Sequence, residues 1–281
     1  MKNLLICMSA AAVLTAGAAP VQAQSADWRT VAPENLWVID TSKGRILVEL
    51  EPRIAPAHVQ RIQTLTTQGF YDGLKFHRVI NDFMAQTGDP KGTGEGGSEL
   101  PDLAPEFSFR RGRDAGFVPV ANSGAGLRGV VGSVVVVTQP DAQMMINADM
   151  KVSGTPQFCA GTLGMARASL PNSANSQFFL TTAYAETLNG NYTVFGRVLS
   201  GMDVLKSLKK GSDEADGAVR EGADIMTQVR LAAQLPQAER PSAQVAVAGG
   251  APFNAAVESA RTAKGASFSA CDIEVPVQIG N

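Results

Sequence analysis

The sequence predicts a mainly β protein, a closed antiparallel barrel capped by two helices, and three observations favour this fold class. Short β-prone segments outnumber helical segments along the 281 residues. Two amphipathic helices are predicted, and about 130 residues of β pattern lie between them. Hydrophobic residues make up 44% of the chain, which is enough to fill a sizeable core.

Composition excludes several classes of function. The chain has 24 Lys plus Arg against 26 Asp plus Glu, so we expect no nucleic-acid partner bound through a basic field. Two His and three Cys are too few for a zinc centre built from those ligands, so we expect no metal site. No apolar run outside the N-terminus reaches the length of a membrane span, so none is expected in the mature chain.

The N-terminus has the pattern of an export signal. Lys2 supplies a positive charge, Leu4 to Ala19 is apolar, and Val21-Gln22-Ala23 fits a small-x-small cleavage site. We therefore expect residues 1–23 to be a signal peptide and Gln24 to begin a periplasmic or secreted protein. A membrane anchor that stays attached is the alternative, which the short apolar stretch disfavours.

A β-hairpin and a helix open the predicted barrel. Alternating apolar residues predict strands at Leu36 to Asp40 and Arg45 to Glu51, joined by a turn at Thr41-Ser42-Lys43-Gly44. Pro56 suits the first turn of the helix that follows, because its missing N–H costs nothing there. The helix can end at Gly69, and its apolar residues recur at helical spacing at Val59, Ile62 and Leu65.

The rest of the chain alternates strands with loops and carries the second helix. Ser200 is expected to cap that helix and Gly211 to end it. The further predicted strands are Leu74 to Ile80, Phe83 to Gln86, Val130 to Val131, Val134 to Val137, Leu163 to Met165, Gln177 to Leu180, Thr193 to Val198 and Asp224 to Leu231. Beyond them the pattern predicts a linker at Gln237 to Ala243, a weak helix at Ala251 to Lys264 and a strand at Ile273 to Ile279.

Three polar features are interpreted as structural. His58 has no Cys or His nearby in sequence, and Arg110, Arg111 and Arg113 form a small basic cluster, so we expect both at the solvated surface. The glycines of the loop at Lys91 to Ser98 match G-x-G-x-x-G. No helix opens after the last glycine, so the loop is interpreted as a tight turn and not as a dinucleotide site.

The run from Phe76 to Pro90 carries the strongest indication of chemistry. The chain has no motif of a hydrolase, and His77 has no nucleophile marked out by a sequence signature. Phe83, Met84 and Gln86 follow Arg78 after a tight turn. A guanidinium among apolar side chains is costly when buried, but at the rim of an apolar cleft it can donate to a ligand carbonyl.

That run resembles the cyclophilin family of peptidyl-prolyl cis-trans isomerases, as do Gly161 to Leu180 and Leu188 to Val198. The resemblance covers Leu36 to Phe107 and Cys159 to Leu235. It implies an eight-stranded barrel with a helix closing each end and a groove on its outer face. We therefore expect an isomerase domain at 24–235, with an inserted β-rich segment at about 108–158, and a C-terminal extension at 236–281 packed on the barrel.

The resemblance also implies roles for individual residues. The catalytic residue would be Arg78, and strand alternation agrees that Gln177 and Phe179 share a face. The proline pocket would be formed by Phe83, Met84, Phe179, Leu188 and Tyr192. The peptide groove would be lined by His77, Gln86, Ala166, Arg167, Ala168 and Gln177.

Three positions of the implied site can be compared with the residues that other family members carry there. Bacterial members often carry Tyr where many eukaryotic members carry His, and this position is Tyr192. Arg167 stands where the better-known members have Asn, and Thr187 stands where they have Trp. We expect the loop around Thr187 to be less apolar than in those members.

The implied mechanism requires no nucleophile, metal or cofactor. Rotation about an X–Pro bond localises a lone pair on the prolyl nitrogen, and an Arg78 N–H near that atom would stabilise the twisted amide. Proline-containing polypeptides, here exported proteins, would be the substrates. The alternative is a low-turnover binding module or chaperone for proline segments.

The two cysteines of the mature chain are expected to form a disulfide. Loss of Cys7 with the signal peptide leaves Cys159 and Cys271, and an oxidising compartment favours a disulfide between them. Two separate cysteines, one of them a small buried apolar residue, are the alternative.

Overall fold

The computed structural model describes residues 26–124 and 126–280. The predicted signal peptide at 1–23 lies outside the described residues. Within the described part of the chain there are sixteen strands and three α-helices. None of these helices is long and apolar enough to cross a bilayer.

The strands, in chain order, are β1 (Trp28–Thr30), β2 (Leu36–Thr41), β3 (Gly44–Leu50), β4 (Arg78–Ile80), β5 (Met84–Thr87), β6 (Phe109–Arg111), β7 (Val118–Ser123), β8 (Gly126–Val131), β9 (Val134–Thr138), β10 (Val152–Pro156), β11 (Thr162–Met165), β12 (Phe178–Thr181), β13 (Val194–Ser200), β14 (Met226–Leu231), β15 (Ser242–Ala246) and β16 (Val277–Gly280). The helices are α1 (Pro56–Thr67), α2 (Met202–Ser207) and α3 (Ala251–Lys264).

Eight antiparallel strands form the main sheet, in the order β14-β2-β3-β13-β11-β12-β5-β4. The sheet curls until its two outer strands approach each other. The only bridges across that gap among the described residues are isolated pairs, Lys75 with Ile225 and Arg78 with Ala218. The predicted mainly β, eight-stranded fold is confirmed. The predicted closure of the barrel is overstated, because no continuous ladder joins the two edge strands among the described residues.

The core of this barrel-like sheet is aromatic and lies between the curled sheet and helix α1. Trp37 is fully buried, its ring centroid lies 5.0 Å from that of Phe178, and its Nε1–H donates to Thr66 Oγ1 at 2.8 Å. Val59 and Ile62 of α1 pack into the same cluster. Burying a Trp with its N–H satisfied avoids the cost of an unpaired donor and ties α1 to strand β2.

Helix α2 begins differently from the prediction. Gly201, with φ of 92°, precedes the helix, and the Ser200 side chain does not cap it. A Cβ at position 201 would lie 2.5 Å from the carbonyl oxygen of Arg45, so only glycine fits this entry. The predicted cap was wrong because the entry of the helix is set by this close approach of two backbones.

The segment between β5 and β11 builds a second sheet, in the order β6-β10-β9-β8-β7. The expected insert at about 108–158 coincides with this sheet. Strands β1, β15 and β16 form a third sheet, to which both ends of the described chain contribute. Strand β15 begins at Ser242, inside the predicted linker, and strand β16 is shorter than the predicted Ile273 to Ile279.

The insert and the C-terminal extension share one hydrophobic core. Phe253 and Val257 of α3 cluster with Val130 and Val135 of the insert, and Trp28 packs against the same cluster. The extension also packs on the barrel, where its residues Ala243 and Val245 cluster with apolar residues of β2 and β3. The two segments that a minimal barrel lacks therefore form one attached unit.

The structure pairs Cys159 with Cys271 in a disulfide, with a Cα–Cα distance of 5.1 Å across a sequence separation of 112 residues. Cys159 lies just before the barrel strand β11, whereas Cys271 belongs to the extension. The bond therefore joins the attached unit to the barrel.

Two polar residues expected at the surface are buried instead. His58 is fully buried, and its Nδ1 lies 2.6 Å from Oε2 of Glu106. Arg111 is 1% exposed, and its guanidinium donates to Thr138 Oγ1 and to Asp141. Both predictions were wrong because the partners that make burial tolerable are 27 to 48 residues away in sequence.

Candidate active site

A row of side chains crosses four neighbouring strands on the outer face of the barrel. Arg78 of β4 pairs directly with Gln86 of β5, Gln86 pairs with Phe179 of β12, and Phe179 pairs with Gly164 of β11. Residues directly opposite in adjacent strands project to the same face of a sheet. The strand register therefore places a guanidinium, an amide and an aromatic ring side by side.

A small cavity of about 180 Å³ opens on this row. All five residues expected in the proline pocket line it, together with Arg78, Gln86 and two residues of the loop after β11. The lining residues are Arg78, Phe83, Met84, Gln86, Ala166, Arg167, Phe179, Leu188 and Tyr192. The cavity is thus a cup lined mainly by apolar and aromatic side chains, with two cations, Arg78 and Arg167, at its rim, and a pyrrolidine ring fits its volume.

The floor of the cup is built by stacked rings. The ring of Phe158 stacks on that of Phe179, with centroids 5.5 Å apart, and Tyr192 meets Phe179 edge-on at 5.6 Å. A Cβ at Gly164 would lie 2.5 Å from the Phe179 ring and 2.6 Å from the Phe158 ring. The two rings can therefore stack only because residue 164 is a glycine.

Arg78 is held by acceptors of two residues, Gln86 and Asp216. Its Nη1 donates to Gln86 Oε1 at 3.2 Å, and its Nε donates to the backbone oxygen of Asp216 at 2.9 Å. Its Nη2 lies 2.9 Å from Oδ2 of the same aspartate. The Arg78 side chain is 30% exposed and that of Asp216 is 80% exposed, so the ion pair faces solvent and is weak.

Gln86 links the guanidinium to the neighbouring strand and loop. Its Nε2 donates to Gln177 Oε1 at 3.0 Å, and Gln177 Nε2 donates to the backbone oxygens of Gly94 and Gly96. The side-chain amides of Gln86 and Gln177 both accept and donate, so this chain of hydrogen bonds fixes the orientation of the Arg78 guanidinium.

A second, larger cavity of about 540 Å³ adjoins the first. It shares Gln86, Ala166 and Arg167 with the smaller one and also contains two other expected groove residues, Ala168 and Gln177. Its remaining lining residues are Gly94, Glu95, Gly96, Gly97, Asp102, Ser173 and Asn175. The two cavities together form a continuous groove along one face of the barrel.

Asp89 organises the glycine-rich wall of the larger cavity. Its carboxylate accepts hydrogen bonds from the backbone N–H groups of Lys91, Thr93 and Gly94 at 2.6 to 2.9 Å. Burial alone would raise the pKa of Asp89, but these donors outweigh it and lower the pKa to about 2. The loop is therefore a turn wrapped around an ionised carboxylate, in agreement with its interpretation as structural.

His77 lies behind the groove. Its side chain is buried beneath Gly94 and lines neither cavity. Burial lowers the pKa of His77, opposed by the carboxylate of Asp89, so the ring is neutral at pH 7. A contact between His77 and a bound peptide stays a prediction.

Several residues of the groove had no signal in the sequence. Asp216 reaches Arg78 from a loop 138 residues away, and Phe107 lies against Arg167 from the segment before the insert. Glu95 and Asp102, which line the larger cavity, belong to loops without periodicity. Only the three-dimensional fold brings these residues to the groove. Thr187, by contrast, is exposed on the loop that carries Leu188.

The site contains no arrangement suited to a metal. Among residues 26–124 and 126–280, no three His, Cys, Asp or Glu side chains are grouped to hold an ion. The chemistry that the groove itself offers is a positioned guanidinium beside an apolar cup.

Comparisons with known proteins agree with this geometry. The sequence model of the family described as cyclophilin type peptidyl-prolyl cis-trans isomerase/CLD matches residues 36–231. A Brucella suis protein named probable peptidyl-prolyl cis-trans isomerase is 37% identical over 237 residues, which are 80% of this chain and 95% of the relative. Peptidyl-prolyl cis-trans isomerase ppi1 of Schizosaccharomyces pombe is 36% identical over 170 residues, 60% of this chain and 82% of its own.

A solved structure extends the likeness to the added segments. The crystal structure of cyclophilin AquaCyp293 from Hirschia baltica matches with a TM-score of 0.80 and 32% identity, over 90% of this chain and 93% of that one. This coverage of the chain is greater than that of the family model, which matches residues 36–231. On its sequence, its eight-stranded sheet and its groove, the chain belongs to the family of cyclophilin-type peptidyl-prolyl cis-trans isomerases.

Proposed function

We propose that this isomerase accelerates rotation about X–Pro bonds through Arg78, which stabilises the twisted amide while the apolar cup holds the proline ring. The observation that carries the proposal is the position of Arg78 at the rim of a cavity otherwise lined mainly by apolar and aromatic side chains. No other cation of the smaller cavity is tied to Gln86.

The physical problem is the rotation barrier of the peptide bond. Resonance gives the C–N bond partial double-bond character and a barrier of about 20 kcal/mol. At the top of the barrier this resonance is lost, and the prolyl nitrogen regains a lone pair that can accept a hydrogen bond. An N–H of Arg78 aimed at that nitrogen stabilises the twisted state more than either planar isomer, which is the condition for catalysis.

The remaining residues prepare this contact. Phe83, Met84, Phe179 and Leu188 bury the ring, so the reacting amide meets the guanidinium where less water competes. Gln86 holds the guanidinium in one orientation before the substrate arrives. No proton or group is transferred, since the substrate and the product are two rotamers of one bond.

A second candidate is a low-turnover binder of proline segments. The ion pair of Arg78 with Asp216 favours it, because that carboxylate engages Nη2 and its backbone oxygen engages Nε. The pair is solvent-exposed, however, and surface pairs contribute only about 0–1 kcal/mol, so a substrate can displace it at little cost.

A turnover measurement separates the two candidates. A protease-coupled assay on an Ala-Pro peptide should give a cis-to-trans rate far above the uncatalysed one, which takes tens of seconds or longer. Equilibrium binding of the same peptide without acceleration would favour the binder.

We also propose that the substrates are exported polypeptides. The signal-like pattern at residues 1–23 and the pairing of Cys159 with Cys271 support a periplasmic or secreted location. Mass spectrometry of the protein from fractionated cells should find Gln24 as the first residue, outside the cytoplasm. An intact Met1 or a cytoplasmic pool would contradict this.

A further inference from the structure

Arg167 is a cation fixed at the junction of the two cavities. Its Nε donates to the backbone oxygen of Asn191 at 3.0 Å, and its Nη1 donates to that of Ala168 at 2.9 Å. Its guanidinium carbon lies 4.6 Å from the centroid of the Tyr192 ring and 5.7 Å from that of Phe107. Carbonyls and aromatic faces hold the group in place without neutralising it.

The charge of Arg167 is not compensated within the described residues. No carboxylate of residues 26–124 and 126–280 lies within 4.0 Å of its guanidinium, whereas Arg78, Arg110 and Arg230 each have an aspartate at that range. The Nη2 of Arg167 makes no hydrogen bond to the described part of the chain. A guanidinium that is fixed, unpaired and equipped with an unused donor is suited to bind a carboxylate.

The position of Arg167 decides which substrate residue would bear that carboxylate. Arg167 lines both cavities, so a peptide with its proline in the smaller one passes Arg167 with the residue next to the proline. Deeper in the larger cavity an acidic side chain would meet the carboxylates of Glu95 and Asp102. The favourable place for an acidic residue is therefore directly beside the proline.

We propose that Arg167 is a specificity-determining residue that favours substrates with Asp or Glu adjacent to the isomerised proline. The inference rests on the proposed function in that the proline occupies the smaller cavity. Partly exposed charge pairs correspond to a preference of about two- to fivefold.

The test compares peptides that differ only in the residue flanking the proline. The values of kcat/KM are measured for Glu, Gln and Lys before the proline, and in a second series after it. The wild-type protein should prefer Glu over Gln and Gln over Lys in at least one series. The Glu-to-Lys ratio should shrink when salt is raised from about 0.05 M to 1 M, as screening of a surface charge requires.

Variants assign the preference to Arg167. Arg167→Gln should bring the Glu-to-Lys ratio close to one, and Arg167→Glu should invert it. Arg110→Gln is the matched control, because Arg110 is an exposed arginine on the insert sheet, outside both cavities, and it should keep the wild-type ratio.

The outcomes separate this inference from the proposed function. A wild-type ratio of one in both series, with all peptides turned over, overturns the role of Arg167 and leaves the isomerase mechanism standing. If no peptide is turned over, the proposed function fails. The dissociation constants of the same peptides, measured by fluorescence titration, then decide whether Arg167 still selects the acidic ones.

Discussion

Arg78 and Arg167 are both cations of one groove, yet their surroundings assign them different tasks. Arg78 shares its charge with Asp216 and is oriented by Gln86, whereas Arg167 rests on the ring of Tyr192 without a carboxylate. A guanidinium presents its donors in one fixed plane, so each of these contacts sets a direction as well as a position. In the proposed mechanism catalysis depends on the orientation of Arg78, and the proposed substrate preference depends on the charge of Arg167.

At the scale of single residues, Gln86→Leu should lower kcat/KM by about fivefold, because it removes a hydrogen-bond acceptor of Arg78 worth about 1 kcal/mol and the hydrogen bond to Gln177. The loss should fall on kcat more than on KM, since Leu still lines the cavity. The matched control is Gln60→Leu on the exposed side of helix α1, which should keep both constants. Equal kinetics of the Gln86 variant and the wild type would contradict the orienting role.

At the scale of elements, the site is a consequence of strand register. Arg78, Gln86, Phe179 and Gly164 lie opposite one another in four consecutive strands, so a slip of one residue in any strand would turn its side chain to the other face. The aromatic stack below them fits only because position 164 has no side chain.

Gly164→Ala should therefore displace Phe179 and distort the cup. We expect a loss of about 1–3 kcal/mol in the free energy of unfolding, as for overpacking of a core, together with a fall in kcat/KM. Gly124→Ala is the control, because a Cβ there meets no atom of the described part of the chain within 4 Å. Denaturant unfolding and the peptide assay check both effects, and a Gly164 variant as stable as the Gly124 variant would refute the packing argument.

The glycine-rich loop makes a prediction with a pH dependence. Asp89→Asn should destabilise the protein at pH 7 by about 1–3 kcal/mol, because three backbone donors lose their ionised acceptor. The folded-state pKa of about 2 lies below the ordinary 3.8, so the carboxylate stabilises the fold above about pH 4, and this contribution is lost as the pH falls toward 2.

The gap in unfolding free energy between wild type and Asp89→Asn should therefore close on acidification. Denaturant titrations at pH 7, 4 and 2.5 measure it, with the exposed Asp203→Asn as control. A gap that stays constant across this range would show that Asp89 is not the ionised acceptor of the loop.

Much of the fold was predictable because it depends on local patterns. The hairpin β2–β3, helix α1 and helix α3 follow from periodicity and from Pro and Gly at their ends. The burial of His58 and Arg111 was not predictable, since it depends on Glu106 and Asp141, which the tertiary fold supplies. The contact of Asp216 with Arg78 was not predictable for the same reason. Arg78 and the pocket residues were predictable because they lie in motifs that resemble those of the family.

At the scale of the whole molecule, the chain is a barrel with a second unit made from three separated segments. Trp28, the insert and helix α3 meet in one core, and the Cys159–Cys271 bond ties that core to the barrel. Because these segments are far apart in sequence, bringing them together costs chain entropy that a cross-link reduces.

The double variant Cys159→Ser/Cys271→Ser should therefore be less stable than the wild type. The chain-entropy model gives about 4.7 kcal/mol for a loop of roughly this length, which is an upper value. The double variant should keep its isomerase activity at 25 °C, because the stack of Phe158 and Phe179 that forms the floor of the cup includes neither cysteine. Denaturant unfolding with and without reductant measures the difference, and identical curves would contradict a stabilising bond.

The proposed mechanism depends on Arg78, and the kcat/KM of a protein with Arg78 substituted is its most direct test. Arg78→Ala should lower kcat/KM by about two to three orders of magnitude, as for loss of one preorganised donor, while circular dichroism and peptide binding remain close to those of the wild type. Arg110→Ala, which removes an exposed arginine with its own aspartate partner, should have no effect. A folded Arg78→Ala protein with undiminished turnover would contradict the account.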